Sequence, residues 1–283
     1  MVAEDPDGAL AGGKLNRGHV LSGYEVCKLR GVSIVVREGL ADAFATVLEQ
    51  HQTLYAWASA QAQPIALKGR APVYVAPLPS EPSVDVVVRH AWHGGMFASI
   101  TGDRFFRPSR APAELLQSSQ LRHFHIPTPE LLAYALYNTG LPWVHVDVAT
   151  RYVPNSYDLS VVLRGLAPAI ERNGALDAVQ ALLVQLAAFG FMHRDLNVKN
   201  ILLYHERKQL VAAVLDVDVV QWRNKLSPAT TMRANTSRLA RSMRKARRQF
   251  GVSMSDAELD AFVQRTLAAT PPSALSPDQA HTK

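Results

Sequence analysis

The chain has 283 residues, 48% of them apolar, a single cysteine, a formal charge of +6 and a pI near 9.5. That apolar fraction supports a buried core in one large domain or two lobes and argues against disorder away from the ends. Cys27 alone excludes an internal disulfide framework and a thiolate metal cluster.

Residues 1–19, rich in Gly, Asp and Ala, read as a mobile leader. Its Glu4, Asp5 and Asp7 stand where a secretory signal would carry positive charge, so no signal peptide is expected. No apolar run reaches the roughly 18 to 20 residues that span a bilayer. The expectation is therefore a soluble or peripheral protein.

Residues 32–36 are a β-branched run that predicts a strand. Over residues 41–61, Phe44, Val47, Leu48, Leu54, Tyr55 and Ala58 recur at three- and four-residue spacings, which predicts one helix ended by Pro64. Residues 73–75 and 84–89 predict two strands joined by a Pro-rich connection. Residues 112–123 predict a helix opened by Pro112, with Leu115, Leu116 and Leu121 on its apolar face and Pro127 and Pro129 beyond its end. Strands follow over 131–137 and 143–152, and the loop 153–157 is taken as the boundary between lobes. The clearest helix spans 174–191, with an apolar stripe of Leu176, Val179, Leu182, Leu183, Leu186 and Phe189. A hairpin is predicted for 201–204 and 210–214, then helices over 236–250 and 256–267, the second capped by Ser255.

The hairpin is flanked by two motifs. Before it, His193-Arg194-Asp195-Leu196 followed by Asn200 fits H-R-D-L-x-x-x-N, a pattern of five fixed residues expected by chance on the order of once in ten thousand chains of this length. After it come Asp216-Val217-Asp218. Transfer of a γ-phosphoryl group needs positioning and charge neutralisation more than covalent chemistry. In that chemistry Asp195 accepts the acceptor hydroxyl's proton, Asn200 and Asp216 hold Mg²⁺, and Lys199 neutralises the γ-phosphate of ATP. Asp218 is either a second metal-facing carboxylate or a cap, and His193 and Arg194 are expected to fasten the loop. A cation on the α/β-phosphates paired to a helix carboxylate is also required, and Arg89 at a strand end with Glu114 in the next helix is the candidate pair. Gly69 and Arg70 are the candidate phosphate-covering turn.

These pieces resemble the Kdo/lipopolysaccharide-core sugar kinases of Gram-negative bacteria, a branch of the protein-kinase-like fold. The resemblance runs in order over about residues 65–250. It takes in Gly69-Arg70, Arg89-His90 with Gly94-Gly95, Asp103-Arg104-Phe105, Glu114-Leu115-Leu116 and Ile126-Pro127-Thr128-Pro129. It continues through the 193–200 loop, Leu215-Asp216-Val217-Asp218, and the run Asn235 to Ser242, similar to the family's N-L-x-R-L-x-R-S. It implies an α+β, bilobal fold: a small N-terminal lobe with an antiparallel sheet (20–153), a mainly helical C-terminal lobe (154–270) and a loose tail (271–283). It also implies ATP- and Mg²⁺-dependent phosphorylation of 3-deoxy-D-manno-octulosonic acid (Kdo) on lipid A, at the 4-position, on the cytoplasmic face of the inner membrane. The chain departs from the family where Val217 and Val219 replace an aromatic and an Arg, His93 replaces an Arg, and Ala71 replaces a Gly.

From Arg223 to Arg248 there are nine basic residues and no acidic one. Such a run calls for an anionic partner or is simply a solvated face. With a Kdo-lipid A acceptor in view, Arg238, Arg241, Arg244, Lys245 and Arg248 are expected to dock an anionic membrane surface. The readings left open are another acceptor (a core heptose, a small molecule or a protein) and a nucleotide-binding pseudokinase scaffold. A nucleic-acid partner is not expected, because the run lacks aromatic stacking residues.

Overall fold

A computed structural model of the chain describes residues 16–29, 31–61, 72–90, 105–106, 110–138, 143–223, 225–252 and 254–273. Two compact units emerge, one formed by residues 1–111 and 131–152 and the other by 112–130 and 153–283. The α+β class holds, with an antiparallel sheet in the first unit and helices predominant in the second.

The first unit is a sheet of eight antiparallel strands. These are β1 (Asn16–Leu21), β2 (Tyr24–Leu29), β3 (Val32–Arg37), β4 (Tyr74–Leu78), β5 (Val84–His90), β6 (Phe105–Phe106), β7 (Leu131–Asn138) and β8 (Trp143–Arg151). Their order is β1-β2-β3-β7-β8-β5-β4, with β6 also on β8. The strand β1 takes in residues 16–19 of the expected leader. The predicted single helix over 41–61 is instead α1 (Ala41–Gln50) and α2 (Leu54–Ser59). The break has a local cause: Thr53 adopts an extended conformation and its hydroxyl accepts the Ala56 N–H at 2.9 Å, starting a new helix. Phe44, Val47 and Leu48 of α1 and Leu54, Trp57 and Ala58 of α2 are buried in one cluster with Val36, Val86, Val88 and Leu132 of the sheet. Alternation along β5 therefore sends Val86, Val88 and His90 toward the helices and Arg89 to the opposite face.

The second unit is built on α5 (Arg172–Ala188), whose Leu176, Val179, Leu182, Leu183 and Leu186 form the expected buried stripe. Around it lie α3 (Ala111–His123), α4 (Leu159–Leu163), α6 (Pro228–Phe250) and α7 (Asp256–Ala268). A three-stranded sheet pairs β9 (Tyr157–Asp158), β11 (Ile201–Glu206) and β12 (Gln209–Val214), and a short ladder pairs β10 (Phe191–His193) with β13 (Val220–Trp222). One segment departs from the contiguous N-terminal lobe expected over 20–153. Residues 112–130 join the second unit because Leu121, Phe124 and Ile126 are buried in the α5 cluster. On α3, Leu115 and Leu121 are buried as expected, whereas Leu116 is 44% exposed. The helix α6 begins eight residues before the predicted 236, because Ser227 caps it through the Thr230 N–H and Pro228 suits the first turn. The expected cap of α7 is present as a capping box between Ser255 and Glu258.

Candidate active site

The two motifs are joined through His193, a fully buried side chain. The strand β10 brings it in from α5, and Asn235 of α6 holds it there. The Asn235 Oδ1 accepts the His193 N–H at 3.0 Å, while its Nδ2 donates to the Phe191 carbonyl at 2.9 Å. The imidazole Nε2 lies 2.9 Å from the Leu215 carbonyl, and the Asp195 N–H donates to Nδ1 at 3.2 Å. A carbonyl only accepts and a backbone N–H only donates, so the ring is the neutral Nε2–H tautomer. Burial holds its pKa below the ordinary histidine value, although the Leu215 carbonyl and the charges of Asp216 and Asp195 act the other way. His193 thus fastens the two motifs, as the sequence implied.

The turn from Asp195 to Asn200 is closed on itself. The Asn197 and Asn200 amides both donate to the Asp195 carbonyl, at 3.0 and 2.9 Å. The Asn197 Oδ1 accepts the Lys199 N–H, and the Asn200 N–H donates to the Asn197 carbonyl. Across the hairpin, the Leu215 N–H donates to the Asn200 carbonyl at 2.9 Å, tying the end of β12 to the loop. The loop is anchored from outside at Val198, whose N–H donates to Ser242 Oγ of α6 at 3.1 Å and whose carbonyl accepts the Ser160 N–H.

This scaffold leaves the chemical groups outward. The Asp195 and Asp216 side chains are exposed and make no hydrogen bond or ion pair among the described residues. Asp216 is left-handed, with φ 56° and ψ 51°, a conformation that costs free energy in a non-glycine residue and recurs at functional sites. With the Asn200 nitrogen committed to the loop, its Oδ1 remains the acceptor atom. Asn200 and Asp216 therefore offer oxygen donors of the kind Mg²⁺ takes, and few protein ligands suit an ion that keeps waters and phosphate oxygens. No group of three His, Cys, Asp or Glu side chains able to hold a metal is found among the described residues. Asp218 is half-buried in a single 3₁₀ turn, Val217–Val219, after Asp216. The Lys199 ammonium is exposed and lies 5.6 Å from the Phe250 ring centroid.

Of the other predicted residues, Arg89 is in the first unit, half-buried near the end of β5, and Glu114 is in the second, buried on α3. Gly69 and Arg70 lie outside the described residues. The sequence reading missed Asp147, a fully buried carboxylate directly across from His90 on β8. Its Oδ1 lies 2.6 Å from His90 Nδ1, and its Oδ2 accepts the Tyr55 N–H at 2.9 Å at the start of α2. His90, next to Arg89 in the family-like run, is thereby a structural residue that locks β5 to β8 and α2. An acidic residue between Val146 and Val148 of β8 was its signal in the sequence.

The basic run is not uniform. Arg244 pairs with Asp260 at 3.0 Å and Arg247 with Asp256 at 2.7 Å, both acids on α7. Arg241, Lys245 and Arg248 are exposed, whereas Arg238 is half-buried. Arg238 thus falls outside the solvent-facing set in which the sequence placed it. No helix among the described residues is long and apolar enough to cross a membrane.

Residues 68–265 match the model of the lipopolysaccharide kinase (Kdo/WaaP) family. The chain is 27% identical over 179 residues to a 3-deoxy-D-manno-octulosonic acid kinase of Actinobacillus succinogenes, covering 62% of this chain and 72% of that protein. A solved structure of WaaP in complex with acyl carrier protein aligns with 84% of this chain and 89% of its own, at 14% identity and a TM-score of 0.49, a remote likeness. The chain belongs to the lipopolysaccharide kinase (Kdo/WaaP) family and is a phosphotransferase that acts on a hydroxyl group.

Proposed function

We propose that the protein transfers the γ-phosphoryl group of ATP to O4 of Kdo on a lipid A precursor, at an anionic membrane surface. The observation that carries this reading is the loop itself: an exposed Asp195 carboxylate on a turn pinned by Asn197, Asn200 and His193 and tied to Asp216 through the Leu215 peptide. The acceptor is the one named for the Actinobacillus relative.

In this reading Asp195 orients the sugar hydroxyl and takes its proton as the oxygen attacks the γ-phosphorus. The bond from phosphorus to the bridging oxygen breaks, and its electron pair leaves with ADP. Asn200 and Asp216 would hold Mg²⁺, which would supply neutralisation of the phosphate charge. Lys199, exposed beside the loop, neutralises the γ-phosphate. Arg89 is the cation assigned to the α/β-phosphates. Arg241, Lys245 and Arg248 face anionic lipid, at about 1 kcal/mol each near the surface.

Incubation with labelled ATP and, in parallel, Kdo-lipid A precursor, heptosylated core and casein tests the reading. Label in the Kdo precursor is expected. Label in casein alone would defeat the sugar-kinase assignment.

A further inference from the structure

We propose that Arg238 binds the acceptor's carboxylate, forming an anion subsite beside the general base. This deepens, and rests on, the reading of the acceptor as an acidic sugar. The helix α6 is fastened to the catalytic loop at two points, Asn235 to His193 and Ser242 to Val198. Arg238 lies between them, three residues after Asn235 and four before Ser242, so all three share the helix face turned to the loop. The turn that carries Asp195 spans the stretch between those anchors.

Arg238 is half-buried, its Nη1 is sealed from solvent, and that atom has no hydrogen-bond partner among the described residues. Its neighbours on the helix are treated differently, since Arg244 and Arg247 each meet a carboxylate of α7. Nη1 itself is closed to a ligand, so an anion meets the part of the half-exposed guanidinium that stays open to solvent, where charge-assisted bonds are strong. Its positive charge acts on His193 together with the charges of Asp195 and Asp216, which puts it in the same electrostatic neighbourhood as the base.

A planar guanidinium matches a carboxylate through two parallel bonds. In the pyranose form of a 3-deoxy-2-ulosonic acid, the carboxylate is on C2 and the accepting hydroxyl on C4, two ring atoms apart. A cation flanking the base can therefore hold the acid group while Asp195 meets the hydroxyl. The transferring phosphates already have Lys199, Arg89 and the metal-holding pair in the reading above.

The test crosses the residue with the acceptor's own acid group. Rates are measured on a Kdo-lipid A precursor and on its C1 methyl ester, for wild type, Arg238→Gln and Arg238→Lys. Wild type is expected to prefer the acid by ~10- to 100-fold in kcat/KM. In Arg238→Gln that preference should fall to near unity, with the KM for ATP held within about twofold. The acid-to-ester ratio is internal to each enzyme preparation, so a loss of folded protein cancels. Should the Gln variant be inactive, Arg238→Lys supplies the ratio, expected between the other two. An undiminished preference for the acid in the variants, or a raised KM for ATP with an unchanged acceptor KM, would overturn the assignment and leave the acceptor reading standing. A wild type that phosphorylates neither compound would instead remove the acceptor reading, and the carboxylate subsite with it.

Discussion

Asn235 holds both ends of the strand that delivers the catalytic loop, accepting the His193 N–H at 3.0 Å and donating to the Phe191 carbonyl at 2.9 Å. Asn235 itself is fully buried. Asn235→Ala strands two backbone groups away from water, and leaving one such group unpaired costs about 1–3 kcal/mol. The variant should lose about 2–5 kcal/mol of stability in urea denaturation and lose turnover with it. A stability unchanged within about 0.5 kcal/mol would contradict the role given to this amide.

His193 makes the fold sensitive to acid. Its buried ring has a lowered pKa, so just below the ordinary value of about 6.5 the unfolded chain binds a proton that the folded chain refuses. Stability therefore rises with pH through that window and is lost as pH falls below it. In His193→Asn the stability difference between pH 5.5 and 7.5 should shrink. An equal difference in both proteins, measured by urea melts, would show that another group sets the slope.

Asp216 can be tested apart from its backbone strain. Asn tolerates the left-handed region better than most residues, so Asp216→Asn should keep the fold while removing one metal-facing charge. A melting temperature close to wild type is expected, with a higher Mg²⁺ requirement and a fall in kcat of about 100-fold or more. A Mg²⁺ titration that superimposes on wild type would take Asp216 out of the metal site.

The exposed basic face should act at membranes. Arg241, Lys245 and Arg248 changed together to Gln should weaken binding to anionic vesicles by on the order of 100-fold at low salt, from about 1 kcal/mol each. Arg244→Gln with Arg247→Gln should weaken it less, because their charges are already met by Asp260 and Asp256. Flotation of both variants equal to wild type would remove the docking surface.

The parts of this molecule that were legible in the sequence are those written contiguously. The 193–200 loop, the hairpin behind it and the stripe of α5 each carry their own spacing, so local chemistry sufficed. What escaped depends on distant partners. His90 meets Asp147 across 57 positions, and Asn235 meets His193 across 42. The assignment of 112–130 to the second unit follows from where Leu121, Phe124 and Ile126 pack, which periodicity alone does not reveal. The basic run looked uniform because charge was counted along the chain. In three dimensions α7 neutralises part of it, and the turn toward the loop shields Arg238.

The central claim is that the turn at Asp195 moves a phosphoryl group to a Kdo hydroxyl, and mass spectrometry of the product tests it most directly. Wild type with ATP, Mg²⁺ and a Kdo-lipid A precursor should yield one added phosphate located on Kdo O4, and Asp195→Asn should yield none while still binding ATP with Mg²⁺. A phosphate on another residue of the glycolipid, or equal product from the Asp195→Asn variant, would contradict the account.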